Sequence, residues 1–298
     1  AGTVHEVRLS NLERGRGVYY AITDAAPRAN PYAAGGYSSL AGMAQLPPDA
    51  GAFRFVVLGD TRSGHDAHHA IARLVAAERP AFVVNTGDLV SDGLVEEGWQ
   101  TFFDIEHDLM VSTVLYPALG NHDADNGKAD LYFQYFAPPK NDEGTEAYYA
   151  FRYSNVFFAV LDSEVATYLG GFTGAQKAWI NSTLAQAAHD RGIMHRFVAI
   201  HQGPYPSNPD RSGFAPMRAL LPVFMDNAVH AIFSGHDHNF ERGTSDNGVT
   251  YVITGGGGAG LYDIGPTGPA AWPAHTVVKN AKAYNYVTVD VDGARASF

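Results

Sequence analysis

The chain contains no cysteine, which removes disulfides, thiolate metal sites and cysteine nucleophiles together and leaves the redox compartment open. Basic residues are scarce: 20 Lys and Arg stand against 31 Asp and Glu, a formal net charge of −11. Wrapping a nucleic acid needs concentrated basic surface, so an acidic chain with only 17% charged residues does not belong to that class. No membrane-spanning run is visible either. The longest uncharged stretch, Ala29 to Pro48, is interrupted by Pro31, Gly35, Gly36, Gly42, Pro47 and Pro48 and reads as loop. What the chain does have is a globular composition. Its 298 residues are 46% hydrophobic and 12% aromatic, too apolar for a solvated coil and sufficient for a sizeable core.

Two short β-like runs, Val4 to Ser10 and Gly17 to Thr23, flank the turn-rich Asn11 to Arg16 and read as an N-terminal hairpin. Beyond the glycine/proline stretch, strands alternate with helices. Strands are expected at Phe53–Leu58, Ala81–Thr86, Ser112–Ala118, Tyr148–Tyr153, Val156–Leu161, His195–Ile200, Val229–Ser234, Gly248–Thr254 and Tyr284–Val291. Helices are expected at His65–Arg79, Glu96–Leu109, Gly174–His189 and Ala215–Asn227. That alternation argues for an α/β domain over residues 51–298, preceded by a hairpin and linker over residues 1–50. In such folds, sites form where strands run out into the following loops.

The residues at those exits carry the chemistry. In order they are Asp60, Asp88, Asn121-His122-Asp123, His201 and His236-Asp237-His238. Carboxylate, amide oxygen and imidazole are the donor set of hard-to-borderline divalent metals. Two such ions can hold both oxygens of an in-line phosphoryl displacement and generate hydroxide, provided a carboxylate bridges them. Taken singly, a Gly-Asp pair is usually a turn and a His-x-His pair usually surface imidazoles; the ordered set at successive strand ends is not explained that way.

The order Gly59-Asp60, Gly87-Asp88, Gly120-Asn121-His122-Asp123, His201, Gly235-His236-Asp237-His238 resembles the calcineurin-like metallophosphoesterases over about Phe53 to Val291. The loops His201-Gln-Gly-Pro-Tyr205 and Gly235–Arg242 and the glycine run Thr254–Gly258 are most similar to the purple-acid-phosphatase-like branch. The resemblance implies a four-layer αββα sandwich of two mixed sheets, with the N-terminal hairpin as a remnant of a preceding β-sandwich domain. It also implies hydrolysis of small phosphate esters, monoester or diester, by a metal-activated hydroxide, with two divalent ions of iron, manganese or zinc. Asp60 and His238 would bind the first ion, Asp88 would bridge, and Asn121, His201 and His236 would bind the second. His122 would contact phosphate and protonate the leaving oxygen, with Asp123 orienting its ring. A secreted or periplasmic location is implied by that branch. The competing reading is a degenerate, non-catalytic binding protein on the same fold.

One position departs from the pattern. The family's Asp-x-His is here Asp60-Thr61-Arg62, and the tyrosine that the purple branch places three residues after the bridging aspartate is here Ser91. Arginine offers no lone pair and cannot replace a histidine ligand. Arg62 therefore has two readings of equal weight, a bidentate hold on substrate phosphate or an ion pair with an acidic neighbour. Gly255-x-Gly257-x-x-Gly260 matches a dinucleotide fingerprint only in letters, since Leu261–Pro266 and not a helix follows it. His68 and His69, on the first expected helix, are expected to be exposed. His65 is a remote candidate ligand, and Tyr168, Phe172, Tyr205 and Trp272 are candidate pocket walls.

Overall fold

Strands buried on both faces repeat apolar residues without polar relief, and here two such sheets lie face to face. The computed structural model describes residues 6–22, 40–124, 127–164, 171–208, 210–267 and 275–298. The first large sheet has five strands. They are β14 (Arg295–Ser297), β13 (Val287–Asp292), β3 (Phe53–Leu58), β4 (Phe82–Asn85) and β5 (Val114–Pro117), in that spatial order. The second has seven, ordered β12 (His275–Ala281), β10 (Phe240–Ser245), β11 (Thr250–Thr254), β9 (Ala231–Gly235), β8 (His195–Gln202), β7 (Val156–Val160) and β6 (Tyr149–Tyr153). Both are mixed. β3, β4 and β5 run parallel, as do β7, β8, β9 and β11, while the outer strands are antiparallel.

Period-two geometry sorts the side chains into layers. Phe55 and Val57 of β3 and Phe82 and Val84 of β4 meet Phe158, Phe197 and Phe233 of the other sheet in a shared core. The alternate residues Val56, Leu58 and Val83 face helix α1 (His65–Ala77) through Ile71 and Val75, and α2 (Glu96–Met110) through Leu109. On the far side, Ile200, Ile232 and Ile253 pack on α4 (Gly174–His189) through Trp179, Ile180 and Leu184. Burying one such large apolar side chain contributes about 1.5–3 kcal/mol. Helix, sheet, sheet, helix is the four-layer α/β arrangement expected, and it aligns the carboxyl ends of both sets of parallel strands on one rim.

Several elements differ from expectation for identifiable reasons. The N-terminal ribbon pairs β1 (Gly17–Ile22) with β2 (Leu40–Gln45), not with Val4–Ser10, whose described residues 6–10 form no strand. The uncharged stretch read as loop thus supplies a strand, and Tyr20 and Met43 tie the ribbon to the Val111 carbonyl at the end of α2. A helix expected over Ala215–Asn227 is two pieces, α5 (Ala215–Arg218) and α6 (Leu221–Asp226), because Pro222 has no N–H to continue the first. The polar-rich β10 and β12 and the short helix α3 (Asp130–Tyr135) were not anticipated. β8 runs on through His201 rather than ending before it.

Candidate metal centre

Each ligand-bearing turn begins where a strand ends, and the turns are tightly nested. Asp60, Asp88 and His236 adopt φ of 57°, 58° and 69°, left-handed conformations that cost about 1–3 kcal/mol each for residues with a Cβ. The glycines before them serve a different need. A Cβ on Gly235 would lie 2.3 Å from Asp60 Oδ2, and one on Gly120 would lie 2.1 Å from the Asp88 nitrogen. Gly59, Gly120 and Gly235 permit close approach without a positive φ, Gly87 takes a φ of 99° as well, and Asp60, Asp88 and His236 carry the strain.

Six of the expected ligands converge on this rim. Asp60, Asp88 and His238 are buried and offer ligand atoms that all lie within 4.8 Å of one another. Asp60 Oδ2 accepts the His236 N–H at 2.8 Å, while Asp60 Oδ1 is buried without a hydrogen-bond partner. His238 Nδ1–H donates to the Gly260 carbonyl at 2.7 Å, which directs Nε2 towards Asp60 Oδ1, 3.4 Å away. On the other side, His201 Nδ1–H donates to the Thr86 carbonyl at 3.0 Å. Its Nε2 then lies 3.1 Å from Asn121 Oδ1, 3.2 Å from His236 Nδ1 and 3.3 Å from Asp88 Oδ1. Acceptors brought so close together repel unless a cation lies among them, so the donor set fits a divalent ion.

The electrostatics agree. Burial pulls the His201 imidazolium down, but Asp88, Asp60, Glu164 and Asp123 outweigh it and hold the group up at about 9. A field that retains a proton there also attracts a metal cation. Burial, reinforced by His201, Arg211, His238 and Arg62, pushes His236 far below its ordinary value, so it presents a neutral ring with a lone pair.

One expected role changes, and one of the two readings of Arg62 is seen. Asp123 does not orient His122. Its buried carboxylate accepts four backbone N–H groups, from Leu89 (2.8 Å) and Val90 (3.2 Å) on Oδ1 and from Asp88 and Gly120 (both 2.9 Å) on Oδ2. Burial and the Asp88 charge raise this carboxyl against the pull of those donors, but no oxygen remains to carry a proton. His122 Nδ1–H donates instead to the Ser91 carbonyl at 2.8 Å, and its backbone N–H donates to Asp88 Oδ1 at 2.9 Å. Arg62 makes the ion pair with an acidic neighbour that was one of its two readings. Its Nε–H donates to Asp88 Oδ2 at 3.0 Å and its Nη2–H to His238 Nε2 at 3.3 Å.

His68, expected exposed, is buried, bonded to Glu106 at 2.7 Å and stacked on Phe102, so α1 and α2 share a polar pair in their seam. His65 is exposed and outside the ligand group. Phe172 packs in the core against Phe214. Tyr205 lines a cleft of about 430 Å³ beside His236, and Tyr168 and Trp272 lie outside the described residues. Reading the sequence missed Arg211, which pairs with Asp237 at 2.7 Å and lies over the Tyr262 ring on the same cleft. It also missed the carbonyls of Thr86, Ser91 and Gly260, which fix three imidazoles and carry no residue signature.

Comparison with known proteins identifies the family. A family model described as calcineurin-like phosphoesterase matches residues 53–240. Tartrate-resistant acid phosphatase type 5 of Sus scrofa is 27% identical over 240 residues, covering 68% of this chain and 69% of that protein. An uncharacterized protein of Mycobacterium tuberculosis is 27% identical over 190 residues, 56% of this chain and 36% of its own, so the chain spans about a third of that relative's length. The structure of a purple acid phosphatase from yellow lupin (Lupinus luteus) seeds has a TM-score of 0.72 at 19% identity. It covers 95% of this chain and 56% of the lupin chain, a likeness of fold.

Proposed function

The chain belongs to the calcineurin-like phosphoesterase family, and from that membership we propose that it is a metal-dependent hydrolase of small phosphate esters. The observation that carries the proposal is the convergence of Asp88, Asn121, His201 and His236 on one point of the rim, with His122 alongside. A divalent ion would be held by those four residues, where it would supply Lewis-acid charge to phosphoryl oxygens and bring the pKa of water towards neutrality. The donors are nitrogen and oxygen without thiolate, which suits iron, manganese or zinc alike. The expected first ion would belong with Asp60, Asp88 and His238, the group that also receives Arg62.

The protein's own groups do the rest. With Nδ1–H engaged by the Ser91 carbonyl, His122 keeps Nε2 for the substrate side. A doubly protonated His122 donates its Nε2 proton to the departing alkoxide and remains a neutral ring anchored at Nδ1. Asp123 acts as a positioning residue, gathering the backbone on either side of Asp88. Residues 51–298 form the catalytic unit in this reading, and the β1–β2 ribbon is an accessory to it. The likeness to acid phosphatases implies export, and no helix among the described residues is long and apolar enough to cross a membrane.

The test is hydrolysis of p-nitrophenyl phosphate and bis(p-nitrophenyl) phosphate by protein reconstituted with manganese, zinc or iron. Turnover of either ester is expected, and the preferred one assigns the chain as phosphatase or diesterase. The placement of Arg62 favours a second reading, a non-catalytic phosphate-binding protein. That reading predicts binding of inorganic phosphate with no turnover of either ester under any of the three metals, an outcome that sinks the hydrolase.

A further inference from the structure

The two halves of the pocket are not alike. Around His201 Nε2 the neighbours are Asn121 Oδ1, His236 Nδ1 and Asp88 Oδ1, and no arginine or lysine lies among these contacts. Around Asp60, Asp88 and His238 a fixed cation is already in place. The Arg62 guanidinium takes Asp88 Oδ2 through Nε and His238 Nε2 through Nη2, two of the three atoms that a first metal ion would use. The His238 lone pair is committed as well, since the Nδ1–H of that ring is bound to the Gly260 carbonyl.

The side chain is held from two directions. Its backbone N–H donates to the Asp88 carbonyl at 3.3 Å, and the side chain is 16% exposed. Of the three donors, Arg62 leaves only Asp60 Oδ1, and a single carboxylate oxygen is a poor site for a divalent ion that would have to displace the guanidinium.

We infer that the Arg62 guanidinium stands in for the first metal ion, so that this protein binds one divalent ion, at Asp88, Asn121, His201 and His236. The inference rests on the metal-dependent reading above and narrows it. Two carboxylates contribute −2, one divalent ion +2 and the guanidinium +1, leaving the pocket at +1 towards an anionic ester. Arg62 Nη1 makes no hydrogen bond among the described residues, and the side chain lines a cavity of about 310 Å³ with Thr61, His65 and Ser91.

Metal stoichiometry tests this directly. Full-length protein is stripped with a chelator, saturated with Mn²⁺, desalted and measured for manganese by elemental analysis and by electron paramagnetic resonance. One equivalent per chain with the spectrum of an isolated Mn²⁺ ion is expected, lost in Asn121→Ala and retained in His238→Ala. Arg62→His, which restores Asp-x-His, is expected to take up a second equivalent and to show an exchange-coupled spectrum. Arg62→Lys is expected to stay at one. Two equivalents in the unaltered protein overturn the inference while leaving the hydrolase reading intact. So does one equivalent that persists in Asn121→Ala and is lost in His238→Ala, or a folded Arg62→His that still binds one. Binding of no metal by the unaltered protein overturns both readings, and turnover of the aryl esters then shows whether any hydrolase remains.

Discussion

Replacing Asp123 by asparagine separates two accounts of the same residue. The side chain is fully buried and its two oxygens accept four backbone N–H groups. An amide has one oxygen, so whichever way it turns its NH₂ faces two N–H donors, from Leu89 and Val90 or from Asp88 and Gly120. Each buried donor deprived of its acceptor costs about 1–3 kcal/mol. Relief from burying a charge offsets part of that, leaving about 2–5 kcal/mol. The loss falls on the loop that carries Asp88, so metal affinity declines with stability. Urea unfolding followed by tryptophan fluorescence suits the measurement, because Trp99 is buried beside this loop and its indole N–H donates to the Gly93 carbonyl. A shift in midpoint equivalent to 2–5 kcal/mol is expected, with no new dependence of rate on leaving-group pKa beyond what metal loss brings. If Asp123 instead oriented His122, stability would stay within about 0.5 kcal/mol of the parent and rates would fall most for poor leaving groups. That pair of results would refute the positioning role.

His122→Asn is expected to lower kcat about 10²–10⁴-fold for alkyl phosphates and far less for p-nitrophenyl esters, whose leaving group departs without a proton. Comparing the two substrate series checks it. Gly120→Ala puts a methyl group 2.1 Å from the Asp88 nitrogen and 2.5 Å from Asp88 Oδ1; reduced metal affinity by calorimetry and a lower melting temperature are expected, and parent-like values of both would contradict the close-approach argument. Metal-free protein carries a pH signature. His201 is raised to about 9, so its contribution is complete below the unfolded value near 6.5 and is lost as pH rises through 9, about 3 kcal/mol in all. His236 is depressed, so its contribution is complete above 6.5 and erodes as pH falls below it. Urea midpoints in chelator are therefore expected to peak near pH 6.5 and fall on both sides. A bound divalent ion replaces the His201 proton and removes the alkaline decline; parallel profiles with and without metal would count against the site.

Much of this was legible because period and position are sequence properties. Apolar runs such as Phe55-Val56-Val57-Leu58 identify two-faced strands, and Asp60, Asp88, Asn121, His201 and His236 could be placed at or near strand exits before any coordinates. β10 escaped notice because Glu241 and Arg242 sit in it, and its partner β12 is also rich in polar residues. β2 escaped because Gly42 and the surrounding prolines resemble loop, although Gly42 is there to let the Val111 carbonyl approach. The roles of Asp123 and Ser91 were illegible for a more basic reason. Asp123 bonds only to main chain and Ser91 acts through its carbonyl, and a backbone group can belong to any residue.

The same reasoning explains why glycine precedes so many of the ligands. A Gly-Asp pair suggests a turn in which glycine takes a positive φ; Gly87, at 99°, does so before Asp88, whereas Gly59, Gly120 and Gly235 do not. The positive φ belongs to Asp60 and His236, each held there by bonds that only nested turns supply. Asp60 Oδ2 takes the His236 N–H, the Asp60 N–H donates to the Gly87 carbonyl, and the Gly59 N–H reaches across to Thr254 of the other sheet. Strain of about 1–3 kcal/mol per residue persists only where the surroundings over-determine it. Here the two sheets do so jointly, with Asp60 contributed by the exit of β3 and His236 by the exit of β9. Neither sheet alone encloses the pocket. Ligand geometry is therefore coupled to the shared aromatic core, where Phe55 stacks on Phe82 at 4.8 Å and meets Phe197 of the opposite sheet at 5.7 Å. A cavity in that core, such as one left by Phe197→Ala, is expected to lower metal affinity in a calorimetric titration without touching Asp60 or His236, and an unchanged affinity would refute the coupling. It follows that metal affinity reports on the packing between the sheets as well as on the ligands.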